Sequence, residues 1–232
     1  MSIKGISGKY CGLFTMLGPC TMKIIELKSE IQNELDDLFI DKEFKLRKTN
    51  FEYTKKIGDL RFIYWIGIHA KTDWFLITPS AFIGSTQTNK QFNEILGRDI
   101  QVTGSTCGFG VGNVTNHQRG RYHVDAKGEI SSAAKSIWLD FIEVAMPFFE
   151  ETNSLEAIDG YLNKISEGRA PAGSVSNACK GLIVAKLVNN PRFFELADIY
   201  YKFWSKSQSP AIANDIITVK NALIGKTDII KA

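Results

Sequence analysis

Leu60-Arg-Phe-Ile-Tyr-Trp-Ile-Gly-Ile-His-Ala70 decides how this chain is read. Phe62, Tyr64, Ile66 and Ile68 alternate with Ile63, Trp65 and Gly67, so both faces of an extended segment are apolar, as expected of a central strand covered on both sides. A second run, Trp74 to Ile83, follows a short Lys71-Thr-Asp73 turn, and upstream the Gly58-Asp59 step suggests another turn. Before that turn, Phe44 and Leu46 alternate with Lys45 and Arg47, and Phe51 and Tyr53 with Glu52 and Thr54. This is the two-residue period of strands with one wet face. The simplest arrangement is an antiparallel meander of four strands. Pro79 has no N–H for a ladder, which predicts that its strand is at an edge or bulged there.

On either side of the meander the period is helical. Leu27, Ile31, Leu35 and Leu38 share one helical face, with Glu30, Glu34, Asp36 and Asp37 off it, which predicts a first helix over about 22–39. A short helix is expected at 86–97, and the stretch 98–128 has no clear period. Ile137, Phe141, Val144 and Phe148 mark the next helix, which Pro147 should end or kink. Asn153 with Glu156 resembles a capping arrangement before Leu155, Ile158, Leu162 and Ile165. Cys179, Leu182, Ile183 and Leu187 give a helix that stops before Asn190-Pro191, where Asn190 can cap the helix marked by Phe193, Ala197, Tyr200 and Trp204. A last amphipathic segment runs from Ala211 to Leu223.

This order implies an α+β fold: an N-terminal helix, an antiparallel sheet of about four to six strands and a C-terminal helical half packed on it. The expected domain is 22–225, with its sheet part at about 40–125 and its helical part at about 130–225. Residues 1–21 read as a leader or extension, because the amphipathic pattern starts abruptly after Met22; residues 226–232 read as a fraying tail. Glu167–Ser176, with Gly168, Pro171 and Gly173, is the plausible internal linker.

Of 232 residues, 44% are hydrophobic and 23% charged, and 15 Phe, 7 Tyr and 4 Trp supply ample core volume, so general disorder is excluded. Cys11, Cys20, Cys107 and Cys179 contain no C-x-x-C pair, and with histidines only at 69, 117 and 123 no zinc site of ordinary spacing is visible. No metal or other cofactor is expected. The apolar runs fall far short of the roughly 18 residues a membrane helix needs. No membrane partner is therefore expected, and the chain reads as cytoplasmic with reduced thiols.

Three segments could carry chemistry. Gly104-Ser-Thr-Cys-Gly-Phe-Gly-Val-Gly-Asn113 is glycine-rich but lacks the Lys-Ser/Thr of a phosphate loop. More plainly it is a strand, with Phe109 and Val111 on one face and glycines admitting a large aromatic from a neighbour. His117, Arg119, Arg121, His123 and Asp125 follow at alternate positions, and His117, Arg121 and His123 are the candidates for acid–base catalysis on an anionic, phosphate-bearing substrate. Cys107 could act as a nucleophile with His123, but a lone Cys amid apolar and glycine residues is more often a small buried side chain. The third segment is the hairpin 42–57, where six basic residues outnumber two acidic ones and Phe51 and Tyr53 are interleaved. Such strands can bind nucleic acid, but the simpler account is that edge strands carry lysines to block unwanted pairing.

The net charge of +3 conceals a polarity, since Lys23–Asp41 holds six acidic and two basic residues directly before the basic hairpin. That asymmetry suits a protein partner, and Glu34, Asp37, Lys45, Arg47, Lys48 and Tyr53 are the candidate binding residues.

Phe44-Lys-Leu-Arg-Lys-Thr-Asn-Phe51, the 60–70 strand, Gly108-Phe-Gly-Val-Gly-Asn-Val114 and Ala145-Met-Pro-Phe-Phe-Glu150 together resemble a group of uncharacterised bacterial domains of unknown function, over about residues 22–205. Members of that group are often small stand-alone cytoplasmic proteins, some in toxin–immunity neighbourhoods. The resemblance supplies no catalytic motif. With no motif of complete catalytic chemistry but complementary charged surfaces and surplus aromatics, the preferred reading is a non-enzymatic binding protein, of immunity or accessory type, that sequesters a protein partner, ahead of an enzyme or a nucleic-acid binder.

Overall fold

The computed structural model describes residues 22–98, 104–125, 127–165 and 173–229. The expected leader 1–21, most of the expected linker and residues 230–232 lie outside them. Helix α1 (Ile24–Ile40) leads into β1 (Lys45–Arg47), β2 (Glu52–Ile57), β3 (Leu60–Ala70) and β4 (Phe75–Ser85). Next come α2 (Thr86–Leu96), β5 (Cys107–Gly110), the single-turn α3 (Val111–Val114) and β6 (Tyr122–Val124). The remainder is helical: α4 (Ile130–Asp140), α5 (Met146–Glu151), α6 (Leu155–Leu162), α7 (Val175–Leu187), α8 (Phe193–Ser207) and α9 (Pro210–Ile229). The fold is α+β, as the element order implies.

The sheet is antiparallel and six-stranded, in the order β1-β2-β3-β4-β5, with β6 also paired to β4. Pro79 is not on an edge strand. β6 pairs with Phe75–Ile77 and β5 with Ser80–Ile83, so Pro79 falls in the interval between two neighbours that share one side of β4. A missing N–H costs least where no strand lies alongside.

Strand parity divides the sheet into two faces. Tyr53, Phe62, Tyr64, Ile66, Ile77, Ala81 and Ile83 point inward to one buried cluster with Leu27, Ile31, Leu35, Phe39, Ile137 and Phe141. Phe39 sits at its centre. Its ring stacks on Tyr53 at 3.8 Å and meets Phe141 at 4.5 Å, Trp138 at 5.4 Å and Tyr64 at 5.7 Å. Phe39 therefore completes the buried stripe of α1, and Leu38, expected on that stripe, is 37% exposed. Tyr64 also ties sheet to helix by donating its hydroxyl hydrogen to the Ile137 carbonyl at 3.0 Å.

Pro147 has the expected effect on its helix. A π turn at Phe141–Ala145 separates α4 from α5, and Pro147 lies in the first turn of α5, where a missing N–H is tolerated. The cap of α6 is Ser154 rather than Asn153: its Oγ accepts the Ala157 N–H at 3.1 Å. Asn190 Oδ1 accepts the Arg192 N–H at 2.8 Å ahead of α8. The last helix runs on to Ile229, past the expected end at Leu223. Val111 opens α3 instead of continuing the glycine-rich strand.

A second cluster, built from Phe92, Leu182, Ile183, Leu196, Tyr200, Trp204 and Ile216, joins α2 to α7, α8 and α9. A buried polar seam connects it to α6. Tyr200 donates to Asn163 Oδ1 at 2.6 Å, and Asn163 Nδ2 donates to Asp159 and to the Gly181 carbonyl.

Phe39→Ala should lower stability by about 3–5 kcal/mol, the range for truncating a buried aromatic, whereas Leu38→Ala should cost under about 1 kcal/mol. Urea unfolding checks both, and equal losses would contradict the assigned face.

Candidate binding face

The outer face of the sheet carries Lys45 and Arg47 from β1, Glu52, Thr54 and Lys56 from β2, Arg61, Ile63 and Trp65 from β3, and Thr78 and Phe82 from β4. All share the parity opposite to the core residues. Contrary to the expectation that β3 is covered on both sides, Arg61, Trp65, Thr78 and Phe82 are partly exposed. Ile63 is 4% exposed among them, so the apolar character of this face comes from a carpet of long side chains.

Both outer aromatics lie over glycines. A Cβ at Gly67 would come within 2.8 Å of Trp65 Cη2, and Trp65 Nε1 donates to the Asn50 carbonyl at 3.0 Å, which fixes the indole on the sheet. Gly108, opposite Phe82 in the ladder, has φ +148, and a Cβ there would collide with the Ala81 carbonyl oxygen and the Phe82 ring. The glycine-rich segment thus makes room for an aromatic from the neighbouring strand. The outcome is two flat rings on a pleated surface.

Beside the rings, two guanidinium groups share one carboxylate. Arg47 Nη1 lies 2.8 Å and Arg61 Nη2 3.6 Å from Glu52 Oε1, and the Glu52 side chain is only 9% exposed. Arg61 pairs with Lys56 and Glu52 with Trp65 in the ladder, so the Arg61 side chain spans the intervening Thr54–Ile63 pair to reach its partner. Its Nε–H is buried and has no hydrogen-bond partner among the described residues. Burial holds the Arg61 guanidinium below its usual pKa, with Glu52 raising it and Arg47 lowering it. One negative charge against two positive ones leaves this cluster cationic, with Lys45 and Lys56 exposed beside it.

A groove of about 330 Å³ lies here, lined by Asn50, Glu52, Arg61, Ile63, Trp65, Phe82, Gly104 and Ser105. Its Gly104–Ser105 rim is anchored from behind. Asn89 Nδ2 donates to the Gly104 carbonyl at 2.7 Å, and Lys180 Nζ, from a largely buried side chain on α7, donates to the Ser105 carbonyl at 2.5 Å. Thr106 accepts the Ser85 N–H at 2.8 Å and donates to Asn89 Oδ1. The helical half therefore holds one wall of the groove.

Lys45 and Arg47 lie on this face, and Lys48 lies exposed in the turn beside it. Tyr53 does not, which corrects its assignment as a binding residue. Its parity turns it inward, where it is 1% exposed and its hydroxyl donates to Asp36 Oδ1 at 2.8 Å. Phe51 is likewise 2% exposed, so the rings accompanying the basic hairpin are Trp65 and Phe82. Glu34 and Asp37 are exposed on α1, on the helical side of the sheet, and Glu34 accepts a 3.5 Å hydrogen bond from Ser131.

Among the catalytic candidates, His117 sits in a left-handed turn at φ 61, near Arg121: a Cβ on Gly112 would meet His117 Nδ1 at 3.3 Å and Arg121 Cγ at 3.5 Å. His123 is elsewhere, on the outer side of β6, stacked on Trp74 at 4.3 Å. Neither imidazole is bonded to a carboxylate among the described residues, and the Asp125 carboxyl, its pKa raised by Glu129, pairs with that residue. Cys107 lies across the sheet from His123, and burial pushes its thiol up to about 12. It is a protonated core residue at neutral pH.

No family model, curated protein or solved structure matches this chain. Among the described residues, no cluster of three or more His, Cys, Asp or Glu side chains could hold a metal ion, and no helix is long and apolar enough to cross a membrane.

A buried carboxylate missed by the sequence reading lies on the inner side. Asp140 is 1% exposed and accepts the Tyr122 hydroxyl hydrogen at Oδ2, while Oδ1 has no partner among the described residues. Burial raises its pKa, opposed by Tyr122 and Arg119 and reinforced by Glu143. A raised native pKa means that its contribution to stability is fully present below the unfolded value of about 4 and is lost as pH rises through the folded value. Asp140→Asn should therefore gain on the natural protein as pH is raised from about 4 to about 7. Urea unfolding across that range checks it, and a pH-independent difference would contradict the sign.

Proposed function

We propose that this protein is a binding protein that holds single-stranded nucleic acid across the open face of its sheet. The observation carrying this reading is the pair of flat rings, Trp65 over Gly67 and Phe82 opposite Gly108, set beside Arg47, Arg61, Lys45 and Lys56. Unpaired bases stack on aromatic side chains, and a basic groove follows the phosphates, in sheet-based binders of single strands. The charge distribution supports the same reading. The exposed acidic residues of α1 project on the helical side, so a polyanion is attracted to the sheet side.

A second reading uses the same face: an immunity or accessory protein that docks an acidic protein surface. Its support is the residue type, because Trp and Arg in a fixed, desolvated setting are the side chains that dominate protein interfaces.

Fluorescence anisotropy with a labelled 15-nucleotide oligothymidylate separates the two. Three or so neutralised phosphates give a salt slope of about −2, at roughly −0.7 per contact on a single strand. Trp65→Ala should weaken binding by about 1–3 kcal/mol, one stacked base. An absence of salt-dependent binding would overturn the nucleic-acid reading.

A further inference from the structure

We propose, building on the nucleic-acid reading, that the groove between Asn50, Arg61, Trp65, Phe82, Gly104 and Ser105 seats one nucleotide of the strand, with its 3′- or 5′-phosphodiester on the Arg61 guanidinium and its base on the Trp65–Phe82 pair. Three features carry this. The first is size: about 330 Å³ is at the small end of ligand pockets, which run from about 300 Å³ upward, so the groove suits one nucleotide and not a run of them.

The second is the Arg61 guanidinium. Nη2 lies 3.6 Å from Glu52 Oε1, beyond hydrogen-bond distance, the buried Nε–H on the same edge has no hydrogen-bond partner among the described residues, and the side chain, 17% exposed, lines the groove. A guanidinium offers an oxyanion two parallel donors along one edge, a geometry that a lysine ammonium does not reproduce. Arg47 and Arg61 against Glu52 leave one positive charge unbalanced at the groove. A phosphodiester carries a single negative charge and balances it.

The third is a preformed wall. Gly104 and Ser105 are held by Asn89 and Lys180, and the Trp65 indole by Asn50. A site already ordered loses little freedom on binding. In the ladder Phe82 is opposite Ile63 and Trp65 opposite Ser80, so the two side chains leave the sheet as diagonal neighbours, about 7–8 Å apart at the backbone, and both line the groove.

The test is calorimetric titration of the full chain with thymidylyl-thymidine, with the same dinucleotide carrying a neutral methylphosphonate linkage, with thymidine, with inorganic phosphate, and with the acidic dipeptide acetyl-Phe-Glu-amide. The dinucleotide should bind one per chain, and the neutral linkage, thymidine and phosphate should each bind about tenfold or more weakly, because stacking and the charge-assisted fork are both needed. Arg61→Lys should weaken the dinucleotide about tenfold and Lys206→Ala, exposed on α8, under about threefold. The methylphosphonate comparison decides the point even if Arg61→Lys fails to fold. Equal affinity for the charged and neutral linkages, binding no tighter than inorganic phosphate, or a preference for the acidic dipeptide would each overturn the proposal. If the 15-mer binds with its salt slope while the dinucleotide does not, the nucleotide seat falls and the nucleic-acid reading stands. If neither binds, both fall.

Discussion

The β3–β4 ladder is the constraint on which the rest of the molecule depends. Leu60–Ala70 pairs residue for residue with Phe75–Ser85, and because side chains alternate strictly, one register sorts every residue of both strands onto two faces. A slip of one residue would send Tyr64, Ile66, Ile77 and Ala81 into water and put Arg61, Trp65 and Phe82 under α1 and α4. The Phe39 stack resists that slip, since Tyr53, Tyr64 and Phe141 all meet its ring.

With the inner face closed by aromatics, the outer face is left to be covered by its own side chains. Glu52 links Arg47 and Arg61 at the cost of burying a carboxylate, and removing one member of such a group leaves the other charges uncompensated. The same linkage places cations beside Trp65 and Phe82 instead of leaving them to spread into solvent. Lys180 extends the dependence to the helical half, because an α7 side chain holds the Ser105 carbonyl at the groove rim. The acidic surface of α1 and the basic sheet face thus occupy opposite sides of one layered structure, and their charges cancel within the small net charge of the chain.

The four-stranded meander was legible because period-two alternation and turn residues coincide along 44–83, and α1, α2 and α7 because their apolar spacing is helical. For β5 and β6 a strand was legible within 104–113 and 117–125 but its bounds and partner were not, since the strands are four and three residues long and placed by pairing with a distant strand. Tyr53 was misassigned because alternation reveals that two faces exist without saying which is wet; only the stack on Phe39 decides. The Trp65 platform had a local signal, a glycine two residues beyond an aromatic on the same face. For the Phe82–Gly108 contact the glycine-rich segment signalled that a neighbouring aromatic would fit, but not which one, since that depends on a register joining residues far apart in the chain. Arg61 read as one polar residue in an apolar strand, and its pairing with Glu52 across an intervening residue pair is a tertiary result. Asp140 lay in an amphipathic helix where a carboxylate is expected to face water, and the Tyr122 hydroxyl that meets it comes from β6.

The central claim is that ligand recognition belongs to the open sheet face. The most direct measurement is nuclear magnetic resonance mapping of the oligothymidylate complex, following the Trp65 indole Nε1–H, the Arg61 Nε–H and the backbone amides. The account predicts concerted, saturable shifts at Trp65, Arg61, Phe82 and the Gly104–Ser105 rim, with α1 and the α7–α9 cluster unchanged. Shifts confined to α1, or spread evenly over the surface, would contradict it.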